Sequence, residues 1–158
     1  MPSGRLISDA IALQLRRAVV ADLPAIYRGE ERYIRQWEPE HEAAWRNQLE
    51  RHLSRWVENF DRLNVALVND QFAGYSLWTR EQEHAELCTI HVGPEYRRKG
   101  TGRLLLDTWA ADAAKAGFTR LRLSVRPENP ARTMYEKAGF QCIGAGAHGY
   151  LLYERSAG

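Results

Sequence analysis

The chain has 158 residues, 44% of them apolar and 27% charged, a composition that excludes a disordered segment and suits one domain with a sizeable core. Its formal net charge of +2 argues against a broad basic face for nucleic acid, while leaving room for a local basic site. The two cysteines, Cys88 and Cys142, have no CxxC spacing, so we expect a buried pair of thiols in a reducing compartment and no metal site.

The first seventeen residues, MPSGRLISDAIALQLRR, carry a short apolar stretch interrupted by Asp9 and Gln14. That is a poor signal peptide, and no apolar run is long enough to span a membrane, so the expected location is cytoplasmic. Residues 13 to 19 read as a strand. Leu23, Ile26, Tyr27 and Ile34 then share a helical face over 21 to 36, with Pro24 in the first turn. Glu38-Pro39-Glu40 interrupts the pattern. From His41 a second helix carries Trp45, Leu49, Leu53, Trp56, Val57 and Phe60 at helical spacing, a pattern of core packing.

A hairpin follows, with strands at 64 to 68 and 72 to 78 around a turn at Asn69-Asp70-Gln71, and a further strand at 85 to 92 ended by Gly93-Pro94. Leu104, Leu105, Leu106, Trp109, Ala110 and Ala113 mark a helix that Gly117 closes. Residues 121 to 125 alternate as a strand. Asn129 as N-cap and Pro130 as first residue open a short helix that ends at Gly139. Residues 140 to 143 and 150 to 153 form the last strands. The order β-α-α-β-β-β-α-β-α-β-β contains a parallel strand-helix-strand unit and gives an α+β domain over residues 1 to 158.

One stretch stands out. Arg97-Arg98-Lys99 directly precede Gly100-Thr101-Gly102 between a strand and a helix. Free amides and the dipole at a helix start favour a phosphate, closely spaced glycines let the backbone approach it, and three cations add charge. The nucleoside-triphosphate pattern GxxxxGK[ST] fails here, since Gly93 is too far upstream and Thr101 follows Gly100. The dinucleotide pattern GxGxxG fails because Arg103-Leu104-Leu105 follow Gly102. An exposed basic turn remains the alternative on these residues alone.

Arg97 to Gly102 resemble the [RQ]-x-x-G-x-[GA] signature of the GNAT superfamily of acetyl-CoA-dependent N-acetyltransferases. Ile90-His91-Val92-Gly93-Pro94-Glu95-Tyr96 before it, and Asn129-Pro130 with Tyr135-Glu136-Lys137-Ala138-Gly139-Phe140 after it, are similar to the family's flanking segments in order and spacing. The resemblance spans about residues 13 to 154; residues 21 to 60 match the family's variable region.

It implies a mixed sheet of about seven strands flanked by about four helices, splayed between strands 4 and 5. It implies acetyl-CoA as cosubstrate, without a metal. The coenzyme's pyrophosphate would lie on the amides of residues 98 to 103, through Arg103, and its pantetheine arm would pair with the backbone of Ile90 and Val92, beside His91. Asn129 would contact the arm, cap its helix, or do both. Tyr135 matches the tyrosine that protonates the departing thiolate, and Glu86 the glutamate that acts as base through water. Strand alternation puts Glu86, Cys88, Ile90 and Val92 on one face unless a bulge intervenes, with His91, the rival base, on the other.

The acceptor is expected to be a small-molecule amine. The alternatives are a protein lysine or N-terminus, or an acyl-CoA-binding module without catalysis. Nucleic acid and membrane are not expected partners, and the chain is expected to be a monomer or homodimer. Glu30, Glu31, Glu38, Glu40, Glu42, Glu81 and Glu83 fall in segments expected near the acceptor cleft, an acidic wall for a cationic amine. Trp37, His41 and Trp78 are the candidate residues lining that cleft.

Overall fold

The computed structural model describes residues 12–158; the N-terminal apolar stretch, read above as a poor signal peptide, lies mostly outside the described residues. Seven strands form one sheet: β1 (Leu13–Arg17), β2 (Leu63–Val68), β3 (Gln71–Arg80), β4 (Ala85–Val92), β5 (Arg120–Val125), β6 (Gln141–Ala145) and β7 (Leu151–Ser156), in the order β1-β2-β3-β4-β5-β7-β6. Five helices accompany them: α1 (Leu23–Trp37), α2 (Glu42–Arg46), α3 (Leu49–Glu58), α4 (Thr101–Lys115) and α5 (Ala131–Lys137). The element order matches the sequence reading with one change. The second helix is interrupted at Asn47 and Gln48, so α2 and α3 replace a single helix.

β2 and β3 join through Asn69 and Asp70, at φ 50 and 66. Two consecutive left-handed residues make the tight hairpin turn whose twist suits antiparallel strands, and Asn and Asp tolerate it. α4 buries Thr101, Leu105, Leu106, Trp109, Ala110 and Ala113, a single stripe at helical spacing. It ends at Gly117, whose φ of 95 lets Phe118 N–H reach back to the Ala113 carbonyl at 3.0 Å.

Each face of the sheet carries its own core. On one, Leu106, Trp109 and Ala113 of α4 pack with Leu87, Leu121, Leu123, Val125, Tyr135, Phe140 and Tyr153. On the other, Ile26 of α1 and Trp56 of α3 cover Leu63, Val65, Tyr75 and Leu77.

The strand pairing makes the opening that matters. β4 and β5 run parallel but pair only at Ala85↔Leu121, Glu86↔Arg122 and Leu87↔Leu123. Beyond Leu87, β4 follows β3, while β5 follows β7 to its end. The strands therefore splay and leave open edges between them. Among the described residues no helix is long and apolar enough to cross a membrane. The expected buried thiol pair is not found: Cys88 is half-buried on β4 and Cys142 is exposed on β6, so the two belong to separate environments.

Candidate active site

A cleft of about 1430 Å³ runs from the start of α4, past the splayed strands, to the C-terminal end of α1 and the turn before β7. At its basic end the backbone does most of the work. Arg98 has φ 62 and Gly100 φ 82, so two left-handed residues alternate with extended or helical ones and turn successive amides inward. Among the described residues, the N–H groups of residues 98 to 103 donate no hydrogen bond to the protein. A Cβ at Gly100 would meet nothing within 4 Å. The glycine is there for its dihedral angle, not for want of space. A diphosphate fits such an array of unpaired donors.

Gly102 has a different reason. A Cβ there would lie 2.7 Å from Met134 Sδ, so the missing side chain lets the first turn of α4 pack against α5. Arg97, Arg98, Thr101 and Arg103 line the cleft; Lys99 does not. Arg97 Nε donates to the Val92 carbonyl at 3.1 Å, so one carbonyl expected to meet pantetheine already has a partner. Arg103 pairs with Asp107 at 3.1 Å.

At the splay, Ile90, His91, Val92 and Asn129 line the cleft. Asn129 Oδ1 accepts from Ala131 N–H at 2.9 Å, which is the capping role. Tyr135 lines the cleft from α5, 5% exposed, with its ring edge-on to Phe140. Its hydroxyl has no hydrogen-bond partner among the described residues, and burial pushes its acidity further from neutral, so the phenol stays protonated.

The expected alternation along β4 fails at a bulge. Leu77 pairs with Thr89 while the next residue, Trp78, pairs with Leu87, so Cys88 is an extra residue with no partner on β3. Glu86 opposes Thr79 and His91 opposes Tyr75, and Tyr75, Leu77 and Thr79 share one face of an unbroken β3. Glu86, Thr89 and His91 therefore face α1 and α3 together. Ile90 and Val92 face α4 with Leu87. The separation of Glu86 from His91 expected from alternation is thus incorrect.

Glu86 lines the cleft and its Oε1 lies 2.7 Å from His84 Nε2. Burial raises its carboxyl above the ordinary range, and the His84 hydrogen bond opposes the rise. His91 is pushed down to about 4, first by burial, then by the charges of Arg97 and Arg32, and is uncharged at neutral pH.

The acceptor end is lined by Tyr33, Trp37, Glu38, His148 and Tyr150. The Tyr150 hydroxyl donates to Glu38 Oε2, tying the turn before β7 to the end of α1. Arg126 lies 4.7 Å above the Tyr150 ring.

Of the three residues expected to line the acceptor cleft, Trp37 lines the cleft, and Trp78 and His41 do not. Trp78 is 3% exposed in the α4-side core, edge-on to Phe118 at 6.1 Å, because β3 alternation turns it away from the acceptor face. His41 sits on an exposed turn at Pro39–His41, beside Glu40. Of the seven glutamates of the expected acidic wall only Glu30 and Glu38 line the cleft, where Glu86 joins them; Glu40, Glu81 and Glu83 do not line it. Glu31 and Glu42 are spent on Arg35 and Arg46 outside it. Sequence reasoning missed Tyr33, Tyr150 and Arg126, whose only signal was aromatic and basic character. Among the described residues no group of three or more His, Cys, Asp or Glu could hold a metal ion.

A sheet split between parallel strands, with unpaired amides at the head of the following helix, is the fold shared with acetyltransferases. The acetyltransferase (GNAT) family model matches residues 22–140, and the chain belongs to that family.

The ribosomal protein bS18-alanine N-acetyltransferase of Escherichia coli strain K12 is 35% identical over 121 residues, 75% of this chain and 74% of that protein. The enzyme of the same name from Haemophilus influenzae is 37% identical over 79 residues, 49% of this chain and 54% of that protein. The crystal structure of the PaiA N-acetyltransferase of Thermoplasma acidophilum in complex with coenzyme A superposes with a TM-score of 0.80 at 21% identity, covering 92% of this chain and 99% of that one.

Proposed function

We propose that the protein transfers an acetyl group from acetyl-CoA to a primary amine by direct attack, without a metal. The observation that carries this reading is the continuity of one cleft, from the unpaired amides of residues 98 to 103, past the open strand edges, to Tyr135 and Glu86. The coenzyme would be held by those amides with Arg97, Arg98 and Arg103, and would supply an activated thioester. Glu86 takes a proton from the amine through water; its raised pKa makes it a better base than an exposed carboxylate. Tyr135, protonated and otherwise unpartnered, donates to the departing thiolate. An amide of the bulged strand near Ile90 is the polarising donor.

The acceptor in this reading is a small amine. The Glu38–Tyr150 tie across the acceptor end supports it. A protein α-amine is the second reading, supported by the names of the bS18-alanine relatives. Mass spectrometry of small amines and of an alanine-ended peptide, each incubated with acetyl-CoA and protein, tests both. Acetylation of the small amines alone is the expected result. Acetylation of the peptide alone would establish the second reading. Binding of acetyl-CoA with no acetylated product in either set would leave a binding module.

A further inference from the structure

Three carboxylates line the cleft, and two of them are already engaged with partners that bear or can bear positive charge. Glu38 accepts from the Tyr150 hydroxyl, and its Oε1 lies 3.9 Å from the Arg126 guanidinium. Glu86 Oε1 is held by His84.

Glu30 is different. Its Oε2 accepts from the Tyr75 hydroxyl at 2.7 Å and from Thr89 Oγ1 at 3.0 Å. Among the described residues it is in no ion pair, and its Oε1 has no hydrogen-bond partner. The contacts exist because residue 29 is glycine: a Cβ there would lie 2.6 Å from the Tyr75 hydroxyl, so α1 comes down onto β3 only without one.

The position is as telling as the partners. Thr89 follows the extra residue of β4, just beyond Leu87, where pairing with β5 ends. Glu30 is thus fastened to the strand at the point where the sheet opens. Both groups that hold it are neutral hydroxyls, which orient a carboxylate but leave its charge uncompensated. Burial raises the Glu30 carboxyl above its ordinary range, opposed by the Tyr75 and Thr89 hydrogen bonds and, through space and without a hydrogen bond, by Arg55 and His52 of α3; a cation at the free oxygen would favour the ionised form. His91 nearby is uncharged at neutral pH. A carboxylate fixed in this way at a cleft, with one oxygen open, suits a cationic ligand.

We propose that Glu30 binds the acceptor's ammonium group at its free oxygen and so selects amines that arrive protonated over neutral amines of the same shape. This inference rests on the transferase reading and divides the labour among the carboxylates. Glu30 holds the R–NH₃⁺ group beside the splay. One proton leaves nitrogen through water to Glu86, and the freed lone pair attacks the thioester carbonyl carbon. The C–S bond then breaks, its electron pair goes to sulfur, and Tyr135 protonates the thiolate. The second nitrogen proton leaves through water to restore Tyr135, and the amide keeps the third.

Two thioethers of coenzyme A test this without knowledge of the natural acceptor: one alkylated on sulfur with a 2-aminoethyl group, the other with n-propyl. Calorimetry at neutral pH and low salt should find the aminoethyl compound bound roughly ten- to hundred-fold more tightly by the wild type, the range expected of a charge-assisted hydrogen bond. Glu30→Gln keeps an acceptor for both hydroxyls and should bring the ratio near one, with n-propyl affinity unchanged. Glu86→Gln should keep the ratio. If Glu30→Gln does not fold, Glu30→Asp, which withdraws the charge by one methylene, should lower the ratio several-fold. Equal affinities in the wild type, or a ratio that survives the change at Glu30, overturns the assignment. Failure of acetyl-CoA and both thioethers to bind overturns the transferase reading, and this inference with it.

Discussion

Glu86 and His91 lie on the same face of β4, five positions apart, because Cys88 is an extra residue that opposes nothing on β3. The bulge turns both titratable side chains toward α1 and the cleft, while Ile90 and Val92 turn toward α4. A bulge re-aims side chains in this way at the cost of local ladder pairing. Both bases considered from sequence therefore reach the acceptor side, and their ionisation separates them. Burial raises Glu86 toward neutral pH and lowers His91 to about 4.

Glu86→Gln should lower turnover by about 10²–10⁴-fold, the usual contribution of a positioned base. The base must be ionised, so wild-type kcat/KM should fall as pH drops through the raised Glu86 pKa. In the variant that limb should shrink to the part set by ionisation of Glu30, and the double variant Glu30→Gln, Glu86→Gln should lack it. A pH–rate profile on a responsive amine checks both, and a limb that persists in the double variant would assign it to another group.

Tyr135→Phe removes a hydroxyl that has no hydrogen-bond partner among the described residues and keeps the ring against Phe140. Fold and acetyl-CoA affinity should survive, while turnover falls by about 10²–10⁴-fold. Rates at saturating acetyl-CoA, wild type beside variant and with chemistry rate-limiting, are the measurement. Equal rates would leave Tyr135 a packing residue.

The two motif glycines should respond differently. Gly100→Ala places a side chain at φ 82 in open space, so its cost should be backbone strain of about 1–2 kcal/mol. Gly102→Ala drives a methyl to 2.7 Å from Met134 Sδ, and Met134→Ala should relieve part of that cost. Denaturant unfolding of the single and double variants reads the coupling. Additive effects at 102 and 134 would remove the packing account.

His91 predicts the acid side of the stability curve. Its folded pKa of about 4 lies below the ordinary 6.5, so between these values the unfolded chain binds the proton more readily than the folded one. Stability should therefore be lost as pH falls from about 6.5 to about 4, by roughly 1–3 kcal/mol once partial solvent screening is allowed for. His91→Gln should flatten that part of the curve. Urea titrations at a series of pH values test it; an unchanged slope would mean that other groups carry the effect.

The sequence by itself determined the order of strands and helices and the segment suited to a diphosphate. Both are local: hydrophobic periodicity is read within ten residues, and Arg97 to Gly102 are contiguous, so the chain's own geometry at a strand-to-helix turn brings their amides together. Only the tertiary structure decided the rest. The bulge at Cys88 belongs to the register between β3 and β4, and nothing within β4 marks it. Trp78 was expected at the cleft and is core, because its face depends on that sheet's packing. Glu30 looked like one of seven surface glutamates. What distinguishes it is the set of partners that fix it, Tyr75 and Thr89, 45 and 59 residues away, with no arginine hydrogen-bonded or ion-paired to it among the described residues. Charge compensation is a long-range property of the fold, and local pattern carries no record of it.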